Sequence, residues 1–153
     1  MKGMIFAAGL GSRLKPFTEQ HPKALFPING KSLLQRNIEY LQSFDIKDVI
    51  VNVHHFTGQI IEAIKENNGL GSNILISDET DEVLETGGGL KKAAPFFENA
   101  TDPFVIMNAD ILTDLDIGKM TEEYLRHTHL QMLAVTDRNT TRLLFFKTHT
   151  TYG

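Results

Sequence analysis

The sequence contains no cysteine. That excludes a disulfide scaffold, a zinc–thiolate site and a cysteine nucleophile. It also lacks any apolar stretch near the roughly 20 residues that span a bilayer. The apolar run after Lys2 is short and is interrupted by Gly9 and Gly11, so it does not read as a secretory signal. A soluble, cytoplasmic protein without a membrane partner is expected. A basic excess is missing as well. The net charge of −4 argues against the basic face that nonspecific nucleic-acid binding requires. The positive charge that exists is gathered at one end. Lys2, Arg13, Lys15, Lys23, Lys31 and Arg36 precede Glu39, with Glu19 the one acid among them. A locally basic segment in an acidic chain points to a small anionic ligand.

The composition that remains is ordinary for a globular protein. With 153 residues, 41% hydrophobic and 22% charged, the chain fits a single domain over 1–153 with a true core. Met4 to Ala8 is a continuous apolar run, the pattern of a strand buried on both faces. Asp48 to Val53, Asn73 to Ser77, Pro103 to Asn108 and Leu130 to Val135 read as four further strands. Helical patterns lie between them. Ser32 and Gln35 have capping-box spacing, followed by Leu34, Ile38 and Leu41 as a core-facing stripe. Thr57 is expected to cap a second helix carrying Ile60, Ile61 and Ile64, ending near Asn68-Gly69. A third is expected over 87–97 and a fourth over 117–128. Strands alternating with helices predict an α/β fold, a Rossmann-like, mainly parallel sheet with helices on both faces. Ligands then sit beyond the carboxyl ends of the strands, which selects residues 9–13, 54–55, 78–86 and 108–114.

The first of these loops is Gly9-Leu10-Gly11-Ser12-Arg13, whose backbone N–H groups can face a phosphate. Two familiar phosphate loops are excluded by single residues. A dinucleotide fingerprint needs glycine where Leu14 stands, and a P-loop ending at Gly30-Lys31-Ser32 needs glycine where Leu25 stands. Arg13 offers a planar fork of donors suited to phosphate oxygens. Lys23 lies between Pro22 and Pro27, which are expected to hold an extended loop and present the lysine. Taken singly, each element could equally be a solvated turn residue.

Taken together, Ala7-Ala8-Gly9-Leu10-Gly11-Ser12-Arg13-Leu14, Pro16-Phe17-Thr18 and Pro22-Lys23-Ala24-Leu25 resemble the signature of the sugar-1-phosphate nucleotidyltransferase superfamily. The resemblance implies that Ala7, Ala8, Gly9, Gly11 and Ser12 wrap a nucleoside triphosphate. It assigns Arg13 and Lys23 to binding the triphosphate and the incoming sugar phosphate in the transition state. Leu84-Glu85-Thr86-Gly87-Gly88-Gly89 matches the segment that helps read base and ribose, which brings in Thr86, Gly87 and Gly88. Asn108-Ala109-Asp110 matches the segment whose aspartate holds Mg²⁺. Asp110 is therefore the implied metal residue, and Asn108 is placed near the sugar or ribose. Asp114 and Asp116 suit a helix cap better than a metal, and Glu79 falls near the implied base pocket. Adjacent His54 and His55 point to opposite sides of an extended chain and lack a ligand partner at metal spacing, so a peripheral role is expected.

The form Leu-Glu-Thr-Gly-Gly-Gly with Asn-x-Asp downstream is most similar to N-acetylmuramate-1-phosphate uridylyltransferases, which serve cell-wall sugar recycling. The implied partners are UTP and a sugar 1-phosphate. The implied reaction is attack of the sugar phosphate on the α-phosphorus, with pyrophosphate leaving. Family members also carry a sugar-binding part and a second metal aspartate farther on, and no acidic residue after Asp116 lies at the matching distance. The chain is accordingly expected to be a C-terminally truncated form with weak or no turnover. It would act as a nucleotide-binding module, or as a half-site completed by another subunit. Leu143 to Phe146 would offer an apolar edge for self-association.

Overall fold

A computed structural model describes residues 1–82, 84–98, 102–127 and 130–135. Its core is a four-stranded parallel sheet. The strands are β1 (Lys2–Phe6), β4 (Asp48–Val53), β5 (Asn73–Asp78) and β6 (Phe104–Asn108), in the order β5-β4-β1-β6. A small hairpin, β2 (Pro27–Ile28) and β3 (Lys31–Ser32), stands apart from it. β1 lies in the middle. It pairs with β4 from Lys2–Asp48 to Phe6–Asn52 and with β6 from Lys2–Phe104 to Phe6–Asn108.

Alternation along β1 sorts the core into two layers. Ile5 and Ala7 face one side, packed with Val49, Val51 and Val53 of β4. That side is covered by α1 (Leu33–Gln42) through Leu34, Ile38 and Leu41, by α2 (Thr57–Glu66) through Ile60 and Ile64, and by α4 (Ile117–Arg126) through Ile117. Met4, Phe6 and Ile50 face the other side, under Leu90 and Ala93 of α3 (Glu85–Ala93) and Phe96 and Phe97 of the 3-10 turn that follows. Helices thus lie on both faces, as the apolar periodicity predicts. Burial of each large aliphatic side chain in these layers contributes about 1.5–3 kcal/mol.

Local signals explain most of the boundaries. Ser32 caps α1, its hydroxyl accepting from the Gln35 amide at 3.1 Å. The other half of the expected capping box is absent, because the Gln35 side chain donates to Glu39 instead. Asp116 caps α4 by accepting from the Lys119 amide. That bond is the main reason its carboxyl titrates below the ordinary aspartate range. The turn between β2 and β3 is Asn29-Gly30, with φ of 47° and 78°, the positive-φ pair that a two-residue hairpin needs.

Four expectations are corrected. Thr57 is the first helical residue of α2 rather than its cap. Phe56 holds the cap position with φ 56°, and the Thr57 hydroxyl donates back to the His54 carbonyl. α3 begins two residues earlier than expected, at Glu85, and gives way to a 3-10 turn at Ala94, where Pro95 cannot supply a helix N–H. Lys23 does not lie in an extended loop. Pro22 is extended, but Lys23–Leu25 close a 3-10 turn through the Leu25 amide and the Pro22 carbonyl, anchored by fully buried Ala24. The fifth strand does not form. Among the described residues, 130–135 pair with no strand, and Leu130 is 96% exposed, so no ladder there offsets the cost of ordering them. The expected edge at Leu143 to Phe146 lies outside the described residues. No helix among the described residues is long and apolar enough to cross a membrane.

Candidate nucleotide site

All four sheet strands are parallel, so their carboxyl ends share one rim. The crossovers turn toward β4 and β5 on one side of β1 and toward β6 on the other. The crevice between β1 and β6 is therefore the topological switch point, where open α/β sheets bind ligands. The segments leaving those two strands are Ala7–Arg13 and Ala109–Asp110.

Lys23 joins them. Its ammonium lies 3.3 Å from a carboxylate oxygen of Asp110, and its side chain is 13% exposed. On the way it crosses the glycine loop. A Cβ on Gly9 would stand 3.1 Å from Lys23 Nζ, and one on Gly11 would stand 2.7 Å from Lys23 Cβ and 2.8 Å from Thr18 Cγ2. Gly11 also has φ 63°, which L side chains adopt only with strain. Gly11 is thus required by its own backbone and by the root of the lysine side chain, whereas Gly9 leaves room for the lysine's mobile end. The loop is closed from below by the Thr18 hydroxyl and the Leu14 amide, which both donate to the Gly11 carbonyl. Thr18, in the segment Pro16-Phe17-Thr18 of the sequence signature, is buried.

Arg13 sits in the 3-10 turn Ser12–Leu14, exposed, and holds no ion pair or hydrogen bond among the described residues. Its guanidinium is available to an incoming anion. Ala7 is buried and Ala8 half-buried, while Gly9 and Ser12 are open to solvent. Asn108 ends β6 with its side chain exposed, and its carbonyl accepts from the Ile111 amide. Thr86, Gly87 and Gly88 occupy the first turn of α3, at the same rim but after β5. Thr86 and Gly87 are exposed, and a Cβ on Gly87 would meet nothing within 4 Å. The structure therefore brings Gly9, Gly11, Lys23 and Asp110 into contact, and leaves Arg13, Asn108 and Thr86–Gly87 as open groups around them.

Buried polar side chains hold the rim together, and the sequence reading passed over most of them. Asn37 of α1 donates to the Ala109 carbonyl at 2.9 Å, fixing the segment that carries Asp110. Asn52, near the end of β4, accepts from the Ala7 amide at 2.8 Å and donates to Glu79 at 2.8 Å. The signal for Asn52 was present: a lone amide inside the apolar run Asp48–Val53 must find partners once buried. Glu79 is fully buried, donates its backbone amide to Val53 and accepts from His54 Nδ1 at its own carbonyl. His54 is thereby a backbone tether, and the His55 ring lies tilted against Phe56 with ring centroids 4.0 Å apart.

Among the described residues no group of three or more His, Asp or Glu side chains could hold a metal ion; the carboxylate at the β1–β6 crevice is that of Asp110, already beside a cation and 45% exposed. Mg²⁺ takes few protein ligands and completes its shell with phosphate oxygens and water, so Asp110 fits such an ion only with a phosphate-bearing ligand in place.

Comparison with known proteins agrees with this fold. Residues 2–143 match the family model described as Nucleotidyl transferase. The chain is 39% identical over 110 residues to N-acetylmuramate alpha-1-phosphate uridylyltransferase of Caulobacter vibrioides, covering 70% of this chain and 44% of that protein. It is 36% identical to the protein of the same name from Neisseria meningitidis, covering 76% and 49%. Among solved structures, HddC from Yersinia pseudotuberculosis in complex with GMP-PN superposes with a TM-score of 0.72 at 32% identity, covering 81% of this chain and 54% of that one. The chain thus spans about half the length of the curated relatives it matches. With residues 2–143 matched, the chain belongs to the nucleotidyl transferase family.

Proposed function

We propose that this chain binds UTP with Mg²⁺ at the β1–β6 crevice and forms the nucleotide half of a cytoplasmic uridylyltransferase acting on a sugar 1-phosphate. The observation that carries the reading is Lys23, drawn across Gly9 and Gly11 onto Asp110. A cation and a carboxylate held together beside an amide-rich loop suit a triphosphate and its metal. The uracil assignment rests on the Glu85–Gly89 sequence and on the names of the two uridylyltransferase relatives. HddC was solved with GMP-PN, so the family as a whole does not fix the base.

In the proposed reaction an oxygen of the sugar 1-phosphate attacks the α-phosphorus in line. The bond to the β-phosphate oxygen breaks, and pyrophosphate carries away the electron pair. The nucleophile is an anion at neutral pH and needs no base. Catalysis is then positioning and charge neutralisation. Lys23 sits where a phosphate would be drawn, and Arg13 supplies a second, planar fork of donors. Asp110 would hold Mg²⁺, which supplies charge neutralisation at the phosphates. Thr86, Gly87 and Gly88 would meet the base and ribose, and Asn108 the sugar or ribose. The sugar-binding part and a second metal aspartate are assigned to the length of the relatives that this chain does not span.

The expected outcome with the 153-residue chain is UTP binding with little or no release of pyrophosphate when N-acetylmuramate 1-phosphate is added. Calorimetry and a coupled pyrophosphate assay measure the two. Robust turnover by this chain alone would overturn the half-site reading. A second reading, that another copy completes the site, is favoured by one observation. Phe104 and Ile106 of β6 are about 40% exposed on the α3 side of the sheet, more apolar surface than a covered strand shows. Sedimentation as a clean monomer with UTP bound would exclude it.

A further inference from the structure

The Ala7 amide is satisfied by a side chain rather than by a neighbouring strand. It donates to Asn52 Oδ1 at 2.8 Å, and Asn52 Nδ2 donates onward to Glu79 Oε1 at 2.8 Å. All three residues are buried, with Glu79 at 0% exposure. On the far side the backbone of α3 rests on the same pair. A Cβ on Gly89 would lie 2.7 Å from Glu79 Oε1 and 3.0 Å from Asn52 Nδ2. One polar chain therefore touches the exit of β1, which begins the glycine loop, and the helix whose first turn carries Thr86 and Gly87.

A packing role alone would not select this arrangement. Glu79 Oε2 and Ser77 Oγ are buried with no hydrogen-bond partner among the described residues. Burying a carboxyl half-satisfied is costly, and an apolar side chain would fill the space without that penalty. Such costs are retained where a site needs them. Asn37, also buried, reaches one partner, the Ala109 carbonyl beyond β6. The Asn52–Glu79 pair spans two segments that the sequence keeps about 80 residues apart, from Ala7 to Gly89.

We infer that Glu79 is a positioning residue, acting through Asn52 to fix the spacing between the phosphate-binding loop at Ala7–Gly11 and the base-reading turn at Thr86–Gly88. The inference rests on the nucleotide-site reading given above. Glu79 touches no ligand itself, because it lies beneath α3. It sets the height of Ala7 and seats Gly89, so that one nucleotide can meet both segments at once.

The polarity of the relay gives the test. Asn52→Asp keeps an acceptor for Ala7 but removes the amide donor toward Glu79 and sets a second carboxyl group in its place. Adding Glu79→Gln restores the chain in reverse, with the side-chain amide introduced at position 79 donating to the new carboxylate at position 52. Two readouts are taken on the full 153-residue chain: UTP affinity with Mg²⁺ by calorimetry, and exchange of the Ala7 amide by NMR relative to that of Ile5. Asn52→Asp is expected to weaken UTP binding about tenfold or more and to speed Ala7 exchange selectively. Asn52→Asp with Glu79→Gln is expected to bring both back near the parent values. Glu79→Gln alone keeps its acceptor toward Asn52 and should behave like the parent, whereas Glu79→Leu should resemble Asn52→Asp. If Asn52→Asp proves unfolded, the contrast between Glu79→Gln and Glu79→Leu decides on the same two readouts. A double variant no better than Asn52→Asp, or a Glu79→Leu chain with parental exchange at Ala7, would contradict the relay. Absence of UTP binding in the parent chain would instead remove the nucleotide reading, and Ala7 exchange would still decide whether the relay exists.

Discussion

β1 and β6 are neighbours in one sheet, paired residue for residue, yet they live in different surroundings. β1 is buried from Gly3 to Phe6, whereas β6 alternates between exposed and half-buried along its whole length. The difference continues into the loops. Beyond β1, Ala7 is tied to Asn52 and the loop is closed on Gly11 by Thr18. Beyond β6, Ala109 and its carbonyl are fixed, but Ile111, Leu112 and Leu115 are exposed within a few residues. The two strands teach that the loop on the β1 side of the crevice is closed by its own hydrogen bonds. The β6 side leaves apolar surface open among the described residues, and the chain spans about half the length of its curated relatives.

The largest expected effect breaks the comparison at the level of stability. Ile50, 1% exposed under α3, should cost about 3 kcal/mol when replaced by alanine. Ile106, 41% exposed on β6, should cost less than about 1 kcal/mol for the same change. Urea unfolding of the two variants measures both. Equal losses would mean that β6 is covered in solution, by a second copy or another part of the chain.

A smaller effect sharpens the loop side of the contrast. Gly11→Ala forces a side chain into the left-handed region and against Lys23 and Thr18, so a loss of about 1–3 kcal/mol is expected. UTP affinity should fall with it, since Lys23 must shift. Gly58→Ala, in the open first turn of α2 where nothing lies within 4 Å, should be neutral or gain up to about 1 kcal/mol. Thermal melts of the pair separate a glycine required by geometry from one that is not. The smallest effect lies on neither side of the crevice. Ser32→Ala removes the α1 cap, which is expected to cost about 1 kcal/mol, with UTP affinity unchanged by calorimetry.

How much of this was legible in the sequence varies with the kind of interaction. The four sheet strands and the helices between them followed from apolar periodicity, because each strand of a covered parallel sheet must read as a run. The fifth strand failed because periodicity reports only that Leu130 to Val135 could be buried, and not that a partner edge exists. The Asn29-Gly30 hairpin was missed although its turn chemistry was in plain view, since Gly30 drew notice only as part of a rejected phosphate loop. For the site, the glycine loop, Lys23 and Asp110 came from motif resemblance, and the direct contact between Lys23 and Asp110 could not. It joins residues 87 positions apart through a fold that had first to place β6 beside β1. Asn52, Asn37 and Glu79 were harder still. A buried amide in a strand announces that it has partners, but which backbone it holds is decided by three-dimensional packing.

The measurement that tests the central claim most directly is a thermal-shift series with UTP, GTP, CTP, ATP and dTTP, each with Mg²⁺. A ligand that binds only the folded chain stabilises it by RT ln(1 + [L]/Kd), about 2.7 kcal/mol at a hundredfold excess over Kd. The proposed function predicts the largest rise in Tm with UTP, and loss of that rise in both Arg13→Ala and Lys23→Ala. No shift with any of the five nucleotides would contradict it.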